Sequence, residues 1–149
     1  EKFRTVLYRR SMMRLASVVG SYFESEALVT GDNLGQVASQ TLTNLRVIEE
    51  ASPMMILRPL LIYDKLDIID VAQKIGTFDI SQIQVPDSCT VFAPASPSTH
   101  ASLSMVKEDE SKLDLHALLA ECIGQTTILS TLNYASHPFV ELRDVPIVL

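Results

Sequence analysis

The stretch LVTGDNLGQVASQTL, residues 28–42, decides the fold predicted for this chain. Its apolar start is typical of a short buried strand, and Gly31 then permits a tight turn that a side chain would obstruct. Asn33 is predicted to cap a helix over 34–48, with Gln36 completing a capping box. Strand, turn and capped helix form half of a nucleotide-binding unit, because the free amides of the helix favour anions. Many α/β domains have such a turn and bind nothing there, so the geometry alone leaves a structural role equally open.

The chain has 149 residues, a net charge of −6 and a hydrophobic content of 47%. This size allows one domain, or part of one, with a substantial core. No apolar run approaches the roughly 20 residues of a membrane span, and no secretory leader is recognisable. Cys89 and Cys122 form neither a disulfide framework nor a CxxC zinc site, and the histidines are isolated. We therefore predict no metal site and a reducing, cytoplasmic location, and the acidic balance argues against a main nucleic-acid surface here.

Basic residues crowd the first 14 positions, whereas residues 108–110 form an acidic cluster. On a predicted helix over 1–24, Arg10 and Arg14 lie four residues apart, so their like charges share one face. Either that face is solvated, which is the usual case, or an anion offsets the repulsion, and the spacing does not decide between the two. A basic patch on an acidic domain suits a small anionic ligand such as a nucleotide.

A second short buried strand is predicted over 54–57, beside the first strand over 27–29. Arg58 follows it, at the edge where α/β sheets bind ligands. There its guanidinium can fork onto phosphate oxygens, and a structural salt bridge is an equal alternative. Since two strands do not make a stable open sheet alone, we expect the chain to be the second half of a larger domain, either excised or completed by a partner.

A helix over 65–75 carries the clearest end signals in the sequence. Asp64 and Asp67 form a capping box at its start, and Gly76 ends it. Lys65 lies in its first turn, where the helix dipole disfavours a cation, so we expect this lysine to reach a phosphate or a carboxylate. The residues predicted to face inward are Ile68, Ile69, Ala72 and Ile75.

The stretch 77–100 has the pattern of an irregular loop, and a loop of this length in a compact domain is usually functional or mobile. Cys89 lies in it between small polar residues. A cysteine on such a loop is a better candidate for chemistry than one on a packed face. Cys122 falls on the apolar stripe of a predicted helix over 113–123 and is expected to be a core residue. Strand-like runs follow at 127–129, 139–142 and 147–149.

The segment TGDNLGQVASQTLTNL, residues 30–45, closely resembles the corresponding segment of the ThiI family. That family comprises tRNA 4-thiouridine synthetases, which are PP-loop ATP pyrophosphatases that also serve thiamine biosynthesis. The resemblance covers roughly residues 5–120 and continues through RRSMMR at 9–14, LRPL at 57–60, DK at 64–65, IGT at 75–77 and DSC at 87–89.

The resemblance implies an α/β fold, with a partial Rossmann-like parallel sheet of the PP-loop ATP pyrophosphatase type, akin to the adenine nucleotide α-hydrolases. The N-terminal strands of that fold and its Ser-Gly-Gly-x-Asp-Ser phosphate loop are not matched, and the sequence contains no Gly-Gly pair. Residues 1–124 then correspond to the C-terminal half of the domain. Residues 125–149 correspond to a tail, or to the start of a linker to a rhodanese domain.

In function, the resemblance implies part of an ATP-dependent tRNA sulfurtransferase. ATP adenylylates O4 of the target uridine, and persulfide sulfur replaces AMP to give 4-thiouridine; the family also supplies sulfur for the thiamine thiazole. The implied partners are ATP with Mg²⁺, tRNA bound through N-terminal domains outside the sequence, and a persulfide donor such as a cysteine desulfurase acting through the rhodanese domain. Cys89 matches the cysteine that attacks the donor's sulfur and ends in a disulfide with the rhodanese cysteine.

Arg9, Gly31 and Gln40 match the family's nucleotide-holding residues, and Gly31 would let the backbone approach the ligand. Arg58 and Lys65 match its Arg-Pro-Leu and Asp-Lys elements and are expected near phosphate or structural carboxylates. Without the phosphate loop, the chain alone is predicted to be inactive. A non-catalytic nucleotide-binding or assembly module remains an alternative, as does a PP-loop enzyme with another substrate, against which the run GQVASQ argues. Exposed sheet edges predict self-association.

Overall fold

A parallel pair of strands lies at the centre of the computed structural model, which describes residues 1–85, 94–129 and 136–138. β1 (Ala27–Val29) pairs with β2 (Met55–Leu57), so that Ala27 lies opposite Met55 and Val29 opposite Leu57. A bond of 3.0 Å from the amide of Thr30 to the carbonyl of Leu57 continues the ladder beyond β1. The predicted strands and their parallel α/β arrangement are confirmed, and both strands end at the same edge.

Helices precede, separate and follow these strands along the chain. They are α1 (Arg4–Tyr22), α2 (Leu42–Glu49), α3 (Lys65–Lys74), α4 (Phe78–Ser81), α5 (Leu103–Glu110) and α6 (Leu115–Gly124). Among the described residues, an antiparallel pair of strands, β3 (Thr127–Leu129) and β4 (Ser136–Pro138), follows α6. In the described residues, no helix combines the length and the apolar character that crossing a bilayer requires.

Most of the predicted elements are confirmed. The helices predicted over 1–24, 65–75 and 113–123 correspond to α1, α3 and α6, and the run 127–129 is β3. The sequence patterns did not predict α5, nor the single helical turn α4 inside the stretch expected to be irregular. The strands predicted over 139–142 and 147–149 lie outside the described residues.

The main core lies where α1 and α2 pack on the sheet. Its buried apolar residues are Phe3, Val6, Met13, Val47, Ile48, Ala51, Ile56, Ala101 and Val106. Burying a valine, isoleucine or phenylalanine side chain stabilises a fold by about 1.5–3 kcal/mol, so this cluster also fixes α5, which carries Val106. A smaller cluster of Val18 and Ile123 joins α6 to the other end of α1.

Cys122 is exposed, so its predicted place in the core is wrong: α6 buries Leu119 and Ile123 instead.

The helix predicted over 34–48 is wrong in its first half. Gly35 adopts a left-handed φ of 78°, which a helix cannot contain, and a 3-10 turn (Ala38–Gln40) follows. Thr41 then caps α2, its side chain accepting a hydrogen bond from the amide of Asn44 at 3.2 Å. The apolar spacing continued through this segment, but the turn at Gly35 interrupts the helix that the spacing predicts.

Asn33 binds the loop after β2 rather than the start of a helix. Its carboxamide donates to the carbonyl oxygens of Leu60 and Tyr63, at 2.8 and 2.6 Å. The amide of Leu34 adds a bond of 3.0 Å to the carbonyl of Leu61. The predicted capping role of Asn33 is therefore wrong, because this side chain ties the turn after β1 to the loop after β2.

Asn44 fixes the 3-10 turn that carries Gln40. Its side chain is fully buried and donates to the carbonyl oxygens of Ala38 and Ser98, at 2.7 and 2.8 Å. Its Oδ1 accepts from the amide of Ala101 at 2.8 Å. A buried amide with its hydrogen bonds satisfied holds its neighbours rigidly, so the turn is anchored to the segment 98–101.

α3 has the predicted ends, and its predicted inward face is half-buried rather than buried. Asp64 accepts from the amide of Leu66 at 3.1 Å, and Asp67 accepts from the amide of Asp64 at 3.2 Å, which completes the capping box. Gly76, with a φ of 73°, follows its end. None of its residues is buried, and Ile75 is 66% exposed. Ile68, Ile69 and Ala72 are half-buried while the rest of the helix is exposed, so three of the four residues predicted to face inward do lie on the less exposed face, and Ile75 does not.

Candidate functional site

Several side chains hydrogen-bond to the buried carboxylate of Asp32 at the carboxyl edge of the sheet. Asp32 is 3% exposed and lies just beyond β1. Its Oδ1 accepts hydrogen bonds from Arg9 Nη2 and from Gln40 Nε2, the latter at 3.4 Å. Its Oδ2 accepts from Thr30 Oγ1 at 2.8 Å and from Arg58 Nε at 3.3 Å. Side chains from α1, the 3-10 turn and the end of β2 therefore meet at one point.

These partners keep Asp32 ionised at neutral pH. Burial alone would raise the pKa of its carboxyl group, but the hydrogen bond and charge of Arg9, with bonds from Thr30 and Arg58, outweigh burial and lower the pKa. Two carboxylate oxygens offer about four acceptor positions, and four donors occupy them. The carboxylate is thus engaged with cationic and neutral donors rather than open to a metal ion. In the described ranges, no three His, Cys, Asp or Glu side chains are grouped as metal ligands.

Two buried polar atoms of this cluster lack partners among the described residues. Arg9 Nη1 donates to Ser39 Oγ at 3.4 Å, and Arg58 Nη1 donates to Glu49 Oε2 at 2.8 Å. Arg58 Nη2 and Gln40 Oε1, in contrast, are buried without a hydrogen bond. An unpaired buried polar atom costs roughly 1–3 kcal/mol, so a ligand offering both an acceptor and a donor would remove that cost.

Gly31 leaves open space beside the cluster. A Cβ added there would meet no atom within 4 Å, and its φ lies outside the left-handed region. The prediction that a side chain would obstruct the turn is therefore wrong, because the φ that requires glycine belongs to Gly35. The open space allows a ligand to contact the backbone directly between Thr30 and Asp32.

The structure brings together four of the six site residues predicted from the sequence. Three of them bind Asp32, and Gly31 precedes it. Lys65 does not join them, since it lines a separate cleft of about 380 Å³ between the turn after β1 and the start of α3. Cys89 lies outside the described residues. Asp32 itself was missed, although an acidic residue directly after the glycine at a strand end was an available signal.

The next two arginines of α1 are paired inside the protein. Arg10 and Arg14, 0% and 6% exposed, both bind the carboxylate of Glu110 in α5. The four N···O distances lie between 2.7 and 3.0 Å. Arg10 also binds Glu50 Oε2 at 2.9 Å. Burial alone would raise the pKa of Glu110, but the bonds and charges of Arg14 and Arg10 outweigh burial and lower it.

An anion therefore offsets the repulsion between Arg10 and Arg14, and that anion belongs to the chain itself. The alternative of a solvated basic face is wrong, because both guanidinium groups are buried. The expected nucleotide patch does not include them either, since most of their donors bind the carboxylates of Glu110 and Glu50. Arg9, one position earlier on the helix, turns instead to the edge of the sheet.

Comparison with known families gives one match over most of the chain. Residues 1–115 match the family described as thiamine biosynthesis protein (ThiI). The chain is 43% identical, over 129 residues, to a protein of Finegoldia magna named "Probable tRNA sulfurtransferase"; these residues are 87% of this chain and 33% of that protein. A protein of Thermus thermophilus with the same name is 42% identical over 139 residues, 93% of this chain and 34% of the relative. The chain thus spans about a third of the length of the curated relatives it matches.

A solved structure agrees with these sequence relatives. The fold superposes with a TM-score of 0.75 on a 4-thiouridine synthetase whose crystal structure was determined as an RNA complex with bound ATP. The two chains are 41% identical, and the superposition covers 81% of this chain and 32% of the synthetase. At this identity and overlap, the parallel strands and the helices around them correspond to one portion of that larger protein.

Proposed function

The chain belongs to the ThiI family of thiamine biosynthesis proteins, and from this premise we propose that it is part of an ATP-dependent tRNA sulfurtransferase. One observation carries the proposal: side chains from α1, the 3-10 turn and the end of β2 converge on Asp32, beside the open backbone at Gly31. We infer that they form one wall of an adenine-nucleotide site, at the edge where α/β sheets bind ligands. The similar 4-thiouridine synthetase, crystallised with RNA and ATP, supports this role.

The residues at this edge fit a nucleotide in charge and in hydrogen bonding. Arg9 and Arg58 carry two positive charges against the single buried charge of Asp32, while the carboxylate of Glu49 is half exposed and screened by solvent. Gln40 Oε1 is an unpaired acceptor that suits an amino or hydroxyl group, and Arg58 Nη2 is an unpaired donor. Mg²⁺ accompanying ATP would be held by the phosphates and by residues other than Asp32, whose oxygens are occupied.

In the proposed reaction, ATP supplies the adenylyl group that activates a uridine of tRNA, and a persulfide supplies the sulfur of 4-thiouridine. Residues 1–124 would be the C-terminal half of the PP-loop ATP pyrophosphatase domain, and 125–149 a tail or a linker toward a rhodanese domain. Transfer RNA and the persulfide donor, such as a cysteine desulfurase, would bind other parts of the full-length protein. We expect that protein to be cytoplasmic, to self-associate through sheet edges and to serve thiamine thiazole synthesis as well.

We expect the full-length protein that contains this sequence to form 4-thiouridine in tRNA when both ATP and a persulfide donor are present. Mass spectrometry of nucleosides from digested tRNA measures the product. Sulfur incorporation at another position would instead indicate a PP-loop enzyme with a different target. A protein that neither binds nor turns over ATP would be the non-catalytic module, and this result would contradict the proposal.

The open space at Gly31 provides a direct test of the nucleotide site. Gly31→Ala is expected to raise the Kd for ATP about tenfold, or about 1.4 kcal/mol, because the new methyl group occupies space that the ligand needs. The melting temperature should be unchanged, since the added Cβ meets no protein atom within 4 Å. Isothermal titration calorimetry and a thermal melt of the full-length protein measure the two quantities.

Gly124→Ala is the matched control for this substitution. A Cβ at Gly124, the last residue of α6, also meets nothing within 4 Å, and the site lies on other elements. We expect its Kd for ATP to equal that of the wild type. If the Kd of Gly31→Ala were also unchanged, the nucleotide would not contact the backbone of this turn. That result would contradict the proposed site.

A further inference from the structure

We propose that Asp32 is a positioning residue of the nucleotide site, which orients Arg9 and Gln40 through one carboxylate oxygen and Arg58 through the other. This inference rests on the proposed function, and it gives a role to a residue that the sequence motifs leave without one. Asp32 itself need not touch the nucleotide, because it acts through the three side chains that it holds.

The carboxylate determines which atom of Gln40 faces a ligand. An ionised carboxylate only accepts hydrogen bonds, so the amide nitrogen of Gln40 must turn toward Asp32. The observed bond, from Nε2 to Oδ1 at 3.4 Å, has this orientation, and within the described residues the Gln40 side chain makes no other hydrogen bond. Oε1 is therefore left as a buried, unpaired acceptor that can receive an amino or hydroxyl group of the nucleotide.

Asp32 also keeps two guanidinium groups in one site. Arg9 and Arg58 are 17% and 10% exposed in their side chains, and they would repel each other without the negative charge between them. In the described part of the chain, Arg9 otherwise has a bond of 3.4 Å to Ser39, and Arg58 binds the half-exposed Glu49. The orientation of the Arg9 guanidinium therefore depends chiefly on Asp32, whereas Arg58 is oriented by Asp32, at 3.3 Å, together with Glu49, at 2.8 Å.

The cluster around Glu110 provides an internal comparison. Glu110 is also a buried carboxylate with two arginine partners, and it lies in α5, where it fastens that helix to α1. The Asp32 cluster also pairs a buried carboxylate with two arginines, but it lies at the ligand edge of the sheet, beside the open backbone of Gly31. Location, rather than the ion pairing alone, therefore indicates a role in ligand binding.

Asp32→Asn in the full-length protein is expected to weaken ATP binding by roughly tenfold to a hundredfold, measured as the Kd by isothermal titration calorimetry. The asparagine amide group donates as well as accepts, so it cannot hold Gln40 Nε2 and both guanidinium groups together. The binding stoichiometry should stay at the wild-type value, because the fold persists. In an Arg9→Ala/Gln40→Ala background, the same substitution should have a smaller effect, because of the three side chains only Arg58 then remains for Asp32 to orient.

Glu110→Gln is the matched control, because it neutralises a buried carboxylate of the same kind away from the site. We expect it to lower the melting temperature and to leave the Kd for ATP unchanged. The proposal is overturned if Asp32→Asn binds ATP as tightly as the wild type or more tightly, if only the stoichiometry falls, or if its full effect persists in the double-variant background. A wild-type protein that fails to bind ATP would instead contradict the proposed function, so the two failures are distinguishable.

Discussion

Replacing Glu110 with alanine is expected to lower the free energy of unfolding by about 3–5 kcal/mol. Arg14 loses both of its Nη bonds in this variant, and its Nε has no partner among the described residues. A guanidinium that is 6% exposed is then left charged and unpaired in the interior. Arg10 is affected less, since Glu50 and the carbonyl of Val47 still accept from it. Urea unfolding at neutral pH, followed by circular dichroism, measures the difference.

The double variant Arg14→Met/Glu110→Leu is the matched control for this effect. It removes one charge of each sign and keeps side chains of similar volume in the interior. Replacing a buried ion pair by packed apolar groups is often neutral or stabilising, so we expect most of the lost free energy to return. A Glu110→Ala variant within about 1 kcal/mol of the wild type would behave like an exposed ion pair and would contradict the buried network.

Lowering the pH tests the same network without substituting any of its arginines. Burial alone would raise the pKa of Glu110, but Arg14 and Arg10 lower it, so its contribution to the free energy of unfolding is present above the unfolded-state pKa and is lost as the pH falls through the folded-state value. The wild type should therefore lose more free energy of unfolding than Glu110→Gln below about pH 4. Equal losses would mean that Glu110 does not bind the arginines in solution.

Elements formed by local interactions are those that the sequence predicts. The capping box of Asp64 and Asp67 and the left-handed Gly76 act within one helical turn of α3, so the residues themselves show where the helix begins and ends. The place of Arg58 at the ligand edge follows because parallel strands end together. Apolar periodicity likewise predicts α1 and α6, and short apolar runs predict the two central strands.

Features that depend on distant residues are those that the sequence leaves open. Arg10 pairs with Glu110, 100 positions later, and nothing near the arginine indicates which acid it binds. The side chain of Asn33 is taken by carbonyl groups 27 and 30 positions later, which removes it from the helix cap that the local pattern predicts. Asp32 binds Arg9, Gln40 and Arg58 only because α1, the 3-10 turn and β2 meet around it. The apolar periodicity of α3 predicts which side of the helix is the less exposed one, but it does not indicate what packs against that side.

Replacing Cys89 with alanine is expected to reduce multiple-turnover formation of 4-thiouridine by a factor on the order of 10³ or more, while adenylylation continues. Cys89 lies outside the described residues, and the expectation rests on its match to the family's cysteine. In the proposed chemistry, the uridine carries a sulfur that is disulfide-bonded to the donor cysteine. The Cys89 thiolate attacks the donor cysteine's sulfur, a disulfide between the two cysteines forms, and 4-thiouridine leaves as the thiolate. A thiol reductant then restores both cysteines before the next turnover.

Two measurements separate the steps, because ATP is used before any thiol is required. Pyrophosphate release reports adenylylation, and nucleoside mass spectrometry reports thiolation. Cys122→Ala is the matched control, since this second cysteine is free and exposed on α6, and we expect wild-type turnover from it. A Cys89→Ser variant that melts normally yet fails to turn over would assign the loss to the missing sulfur rather than to folding. Wild-type turnover in Cys89→Ala would show that Cys89 takes no part in the mechanism. It would not contradict the nucleotide site at Asp32, because adenylylation needs no cysteine.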